Sequence, residues 1–182
     1  MAEQFAFNRM QNCKKRHDDD DAFNHVLRTA KTLERMGYEE DIVAAAFLHD
    51  LIEDTETTEQ EILERFGEEV TRIVMGVTHD NSLKGKAKKQ DLLLKVEATG
   101  KKAIVVKLAD NCDNLRTIEY FKLWKVADYL DFATKVQEMG KNTLGEKNEL
   151  VCFHAERLAR AREKSAKMAK DILQKGLVSP IL

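Results

Sequence analysis

The stretch AAAFLHDLIEDT, Ala44 to Thr55, places His49, Asp50, Glu53 and Asp54 in the middle and at the end of an apolar run. Burying ionisable groups is costly unless they are paired or bound to a metal. The run therefore predicts a core helix that also carries a polar site. Outward from it, apolar residues recur at helical spacing, as at Ile62, Phe66, Val70, Ile73 and Val77. TTEQEILERFG offers Thr58 as N-cap, Glu61 three residues on, and Gly67 as a stop. NHVLRTAKTLERMG reads as a helix ended by Gly37. KAIVVKLADNCDNLRTI, Lys102 to Ile118, opens with β-branched residues and would suit a strand; no partner strand is visible, so it reads as helix. From Tyr120 the pattern is helical again, breaks at GKNTLG, and resumes as a charged helix from Glu146 to Lys175. The only proline is Pro180, and there is no hairpin signal, fixed repeat or linker. The expectation is one all-α domain over 1–182, with a motif-bearing core over 24–118 and C-terminal helices over 120–175.

A chain of 182 residues is long enough for one domain with a real core. It is 43% hydrophobic and 34% charged, as soluble globular chains are. A formal net charge of -2 gives no electrostatic reason to expect nucleic acid or a membrane surface as partner. Cys13, Cys112 and Cys152 are odd in number and form no CxxC pair, which suits reduced thiols better than a disulfide framework or zinc knuckle. The N-terminus lacks the apolar core of a signal peptide and no run is long enough to span a bilayer. A cytoplasmic location is expected.

A second polar intrusion is AIVVKLADNCDNL, with Asp110 just behind an apolar segment, and a third candidate is His25, heading HVLRTAKTL. Two histidines and two aspartates make a mixed nitrogen and oxygen set, suited to manganese, iron or another divalent ion that accepts octahedral geometry. Four such ligands leave two positions for water and a substrate oxygen, as a hydrolytic centre requires. Singly, His49 also reads as a hydrogen-bonded core histidine and Asp50 as a helix-surface carboxylate. The grouping is what favours a metal. Glu53 lies four residues after His49 and Asp54 four after Asp50, one helical turn from each. A carboxylate there can orient or deprotonate a water, or protonate a leaving group. EDTETTEQE equally fits a solvated acidic helix exit.

His25, His49-Asp50 and Asp110 resemble the H…HD…D signature of the HD-domain metal-dependent phosphohydrolases. AAAFLHDLIEDTETTEQEILERFGEEVTRIVMGVT followed by VVKLADNCDNLRTI is similar to the hydrolase domain of the RelA/SpoT alarmone enzymes, above all to their small stand-alone metazoan hydrolases. The resemblance covers Asn24 to Ile118. It implies an HD-domain helical bundle in which His25, His49, Asp50 and Asp110 hold one manganese ion. It implies that Glu53 and Asp54 serve the attack of water on the 3′-pyrophosphate of ppGpp or pppGpp, and that Asn114 and Tyr129 meet the substrate. SLKGKAKKQ places Lys84, Lys86, Lys88 and Lys89 where the family has phosphate-facing lysines, although a solvated basic loop reads the same way.

The sequence also departs from that family. KKRHDDDDAFNH replaces a basic segment and tight turn before the first histidine. His17-Asp18 is read as a decoy in a polar run, and Asp18 to Asp21 set four negative charges beside a site for a polyphosphate. Lys14, Lys15 or Arg16 is expected to supply the missing contact. No synthetase, TGS or ACT region accompanies the motifs, so the expected activity is degradative. The rivals are an HD phosphohydrolase for another nucleotide and a metal-binding interaction module without catalysis.

Overall fold

A computed structural model describes residues 1–174 of the chain, and its regular structure there is entirely helical. The helices are α1 (Ala2–Met10), α2 (Ala22–Arg35), α3 (Glu40–Leu48), α4 (Leu51–Asp54), α5 (Glu59–Val77), α6 (Gly85–Thr99), α7 (Lys101–Arg116), α8 (Leu123–Leu144) and α9 (Glu149–Gln174). A 3-10 turn at Ile118–Tyr120 joins α7 to α8. No helix among the described residues is long and apolar enough to cross a membrane.

The bundle is organised around α7, which packs against α2, α3, α5, α6, α8 and α9. Ala103 through Asp113 are buried without a gap. A helix that is apolar on all sides belongs in the interior. This is why its β-branched opening also suited a strand: a fully buried segment loses the periodicity that separates the two. Asp110 and Lys107 enter the protein interior on this helix.

Local chemistry sets the other elements. Thr58 caps α5 by accepting from the Glu61 amide at 3.2 Å, while the Glu61 carboxylate turns outward to Arg9. Gly67 adopts φ 81° and ψ 175°, outside the helical region, so it stops the helix where the sequence placed a stop, and a second helical segment of α5 continues beyond the kink. In GKNTLG only the last residue breaks the helix. Gly140 lies inside α8, where a Cβ would come 2.8 Å from Leu108, so glycine permits the close approach of α8 to α7. The charged helix begins at Glu149 rather than Glu146, and Lys175 and Pro180 lie outside the described residues. Helix α1 was not expected; its buried Ala2, Ala6 and Met10, at i, i+4 and i+8, form a narrow stripe, and it packs on α3 and α2.

The α8–α9 contact carries a buried polar chain. His154 Nδ1 donates to Gln137 Oε1 at 2.6 Å, and Gln137 Nε2 donates to the Val151 carbonyl at 3.2 Å. Burial disfavours the charged imidazole and pushes His154 down to about 4. An unfolded histidine titrates near 6.5, so between those values the unfolded chain binds the extra proton and stability falls as pH falls. The linkage amounts to about 2 kcal/mol between pH 7 and pH 5. In urea unfolding at the two pH values, His154→Leu should be less stable than wild type at pH 7 but lose about 2 kcal/mol less on going to pH 5. An identical loss in both proteins would remove His154 from this account.

Candidate metal centre

His25 in the first turn of α2, His49 and Asp50 at the α3–α4 junction, and Asp110 on α7 converge behind one opening. The helix expected through His49-Asp50 is interrupted there: both residues form a turn, and α4 restarts as a single turn. The one-turn relation to the acidic pair survives, since the Glu53 and Asp54 amides both donate to the Asp50 carbonyl, at 3.2 and 2.9 Å.

Both imidazoles are oriented by their far nitrogens. His25 Nδ1 donates to Asp113 Oδ2 at 2.8 Å, and His49 Nδ1 donates to the Ala46 carbonyl at 2.8 Å. Their Nε2 atoms therefore face the site. His25 Nε2 lies 3.1 Å from Asp110 Oδ1 and 3.5 Å from Asp50 Oδ2. His49 Nε2 is 3.2 Å from Asp50 Oδ1 and 3.7 Å from Asp110 Oδ1, and it is buried with no hydrogen bond of good geometry. Ligand bonds of about 2.0–2.2 Å bring neighbouring donors in an octahedron to roughly 3 Å apart. The donor atoms of His25, His49 and Asp110 all lie within 4.8 Å of one another, and Asp50 reaches both imidazoles. The residues fit a divalent cation.

The carboxylates demand positive charge. Burial opposes protonation of His49, but Asp50, Asp110 and the Ala46 carbonyl outweigh it and bring the imidazole up to about 9. Asp110 Oδ2 accepts from the buried Lys107 at 2.7 Å and Oδ1 from Asn114 Nδ2 at 2.6 Å. Against its burial, Lys107 and the two histidines hold its carboxyl well below the usual range. Asp113 is likewise held down, against burial, by His25 and Arg28. It lies three residues after Asp110, on the same face of α7, and its link to His25 was not read from the sequence; that spacing was the available signal.

Glu53 is half-buried and accepts from the His79 amide at 2.8 Å. Burial, with Asp50 adding, raises its pKa against the pull of that amide, Lys107 and Lys88. Asp54 is exposed at the rim, yet desolvation and then Asp50 raise it too. Glu53 and Asp54 are thus two carboxylates beside a cation site whose surroundings favour the protonated form more than water does.

His25, Asp50, Glu53, Asp54, Lys107 and Asp110 line a cavity of 260 Å³ with Arg16, His79, Lys89, Asn114 and Tyr129. Around it, Arg16 Nε, His49 Nε2, His79 Nδ1 and the Tyr129 hydroxyl are buried without hydrogen-bond partners. Buried polar atoms are nearly always satisfied, and Arg16, His79 and Tyr129 line the cavity itself, so their orphaned atoms leave hydrogen-bonding capacity for a ligand there. Of the three basic residues proposed for the missing contact, Arg16 is the one that lines it, and it donates to Asn114 Oδ1 at 2.6 Å. An adjoining cavity of 420 Å³ shares His79, Lys89 and Tyr129 and adds Lys88, Phe121 and the exposed Trp124. Lys84 stands exposed as the N-cap of α6, and Lys86 lines a separate cavity of 440 Å³ beside Lys89.

His17 stands apart from the donor cluster, but it is not surrounded only by polar residues. It lies 3.0 Å from Thr117 Oγ1 and packs edge-on against Phe121 with centroids 4.4 Å apart. Two of the four aspartates are paired locally: Asp20 with Arg28 at 2.7 Å and Asp18 with Arg116 at 3.5 Å.

A helical bundle with a buried His, His-Asp and Asp cluster defines a class, and residues 2–128 match the HD domain family, to which this chain belongs. Over 131 residues it is 36% identical to the zebrafish (Danio rerio) guanosine-3′,5′-bis(diphosphate) 3′-pyrophosphohydrolase MESH1, covering 66% of this chain and 73% of that one. It is 39% identical over 101 residues to the Aquifex aeolicus guanosine-3′,5′-bis(diphosphate) 3′-pyrophosphohydrolase, covering 54% of this chain but only 14% of that much longer protein. A solved structure of a metazoan ortholog of SpoT, described as hydrolysing ppGpp, superposes with a TM-score of 0.75 at 27% identity, covering 88% of this chain and 93% of that one.

The orienting role of Asp113 makes a prediction. Asp113→Ala keeps all four donors but frees the His25 ring, and loss of such a support typically costs about 10–100-fold in metal affinity. Equilibrium dialysis against a divalent ion should show that loss, with His49→Ala and Asp110→Ala binding no ion at the site. Wild-type affinity in Asp113→Ala would show that the hydrogen bond to His25 does not orient the ligand.

Proposed function

We propose that this protein is a manganese-dependent hydrolase that removes the 3′-pyrophosphate of guanosine tetra- and pentaphosphate, acting in the cytoplasm as one HD domain. The observation that carries the reading is the juxtaposition of the four donors with orphaned polar atoms around one cavity. The names of the relatives support the nucleotide, and the mixed imidazole and carboxylate set supports manganese. A bound divalent ion would acidify a water and polarise a phosphoryl oxygen.

The chain's own residues supply the rest. Glu53, fixed by the His79 amide at 2.8 Å, is placed to orient the attacking water and accept its proton. Asp54, a lining carboxylate of the same cavity, would hold or return a proton to the leaving group. Arg16, Lys89 and Lys107 line the cavity and offset the charge that gathers on the phosphoryl oxygens. Asn114 is held between Arg16 and Asp110 and offers its amide to a substrate oxygen. The aromatic floor of Phe121, Trp124 and Tyr129, with Lys88 beside it, suits a base and its phosphates. Lys84 and Lys86 contribute to the field at longer range. The substrate is a small nucleotide; neither nucleic acid nor a membrane is proposed as partner.

With ppGpp and manganese, the products should be GDP and intact pyrophosphate, resolved by ion-exchange chromatography. Orthophosphate, or inertness to ppGpp with cleavage of another nucleotide, would move the protein to a general HD phosphohydrolase.

Glu53→Gln and Asp54→Asn should fold and keep their metal, since neither is a proposed ligand. Their kcat should fall by about two to four orders of magnitude, the usual contribution of a positioned acid or base, with KM changing much less. Activity within a few-fold of wild type would return the pair to a solvated helix exit; activity lost only in step with metal would make them supports of the site.

A further inference from the structure

Next to the metal centre, lined by residues of α2, α7 and α9, lies a second basic cavity, of which the chemistry above uses only Asp113 and its partner Arg28. Its volume is 380 Å³, within the range of about 300–1,000 Å³ typical of small-molecule sites. Arg28, Lys31, Arg35, Arg116 and Arg157 line it, against one carboxylate, Asp113. In a chain of net charge -2 this is a local concentration of positive charge.

Three of the cations are already matched. Arg28 pairs with Asp20 at 2.7 Å and Asp113 at 2.6 Å, Arg116 with Asp18 and Asp113, and Lys31 with Glu3 and Glu34. Arg35 and Arg157 have no carboxylate partner among the described residues. Arg35 donates only to the Lys31 carbonyl and the Thr32 hydroxyl. Arg157 sits over the Phe153 ring with its Cζ 4.9 Å from the centroid, and its Nε is buried without a hydrogen-bond partner. Guanidinium groups in this state, facing one cavity, match the forked geometry of phosphate oxygens.

We propose that this cavity is a second binding site, for an oligophosphate anion, with Arg35 and Arg157 as its principal contacts and Arg28 and Arg116 flanking them. The site is physically continuous with the metal centre. Arg28 Nη2 and Nε both donate to Asp113, at 3.0 and 2.6 Å, and Asp113 accepts from His25 Nδ1 at 2.8 Å. An anion on Arg28 thus touches the group that orients a metal ligand.

The test isolates this cavity from the one at the metal centre. Arg16→Gln/Lys89→Gln weakens anion binding at the metal centre; Arg35→Gln/Arg157→Gln weakens it at the second cavity. Sodium tripolyphosphate is titrated calorimetrically into chelator-treated protein, with circular dichroism confirming that each variant is folded. The Arg16→Gln/Lys89→Gln double variant should still bind tripolyphosphate, and adding Arg35→Gln and Arg157→Gln to it should raise Kd at least tenfold. Equal affinity in that double variant and the quadruple variant, or no binding in the double variant, would overturn the proposal. The result is independent of what the metal centre hydrolyses, so it stands or falls apart from the function proposed above.

Discussion

Asp110 is a carboxylate buried in the middle of the most enclosed helix of the bundle, with only 4% of its surface exposed. An isolated ion in that position would be prohibitively costly. The neighbourhood answers the cost: Lys107 one turn before it, Asn114 one turn after, and the two imidazoles from α2 and the α3–α4 junction. Each compensating group has its own support, Asp113 for His25 and the Ala46 carbonyl for His49. Truncating one member of a buried ionic group typically costs about 3–5 kcal/mol because the others are left uncompensated. The packing of α2, α3 and α7 is therefore inseparable from the charge at their meeting point.

That arrangement remains short of positive charge in a particular place. His49 is drawn up to about 9 by Asp50 and Asp110 against its burial, and its Nε2 has no well-aligned partner. A proton on the imidazole and a divalent ion among the donors answer the same demand, and only the ion satisfies all four residues at once. The hydrolytic reading follows from what surrounds this point: two carboxylates with raised pKa values at one side, and Arg16, Lys89 and Lys107 at the other.

The sequence was most informative where a single residue type answers a single need. An HD pair in an apolar run and an aspartate behind another pointed to residues that the fold brings together as candidate metal donors, and helical periodicity pointed to α2, α5 and the C-terminal helices. Contacts between residues distant in the chain were not legible. The three-residue spacing puts Asp113 on the same face of α7 as Asp110 but does not reveal its bond to His25, 88 residues away, and nothing in KKRH singled out Arg16 over its lysine neighbours. Helix α1 was missed because its buried face is a narrow stripe of Ala2, Ala6 and Met10. The interruption at His49-Asp50 was missed because an apolar run with correct spacing looks continuous. The aspartate run looked repulsive because its partners, Arg28 and Arg116, are set by the fold.

Crystals grown with manganese, with anomalous diffraction recorded at the manganese edge, address the central claim directly. The account requires one strong peak within bonding distance of His25 Nε2, His49 Nε2, Asp50 and Asp110, with the remaining coordination positions facing the cavity of Glu53 and Asp54. A peak elsewhere, or one that leaves His49 or Asp110 outside its coordination sphere, would contradict it.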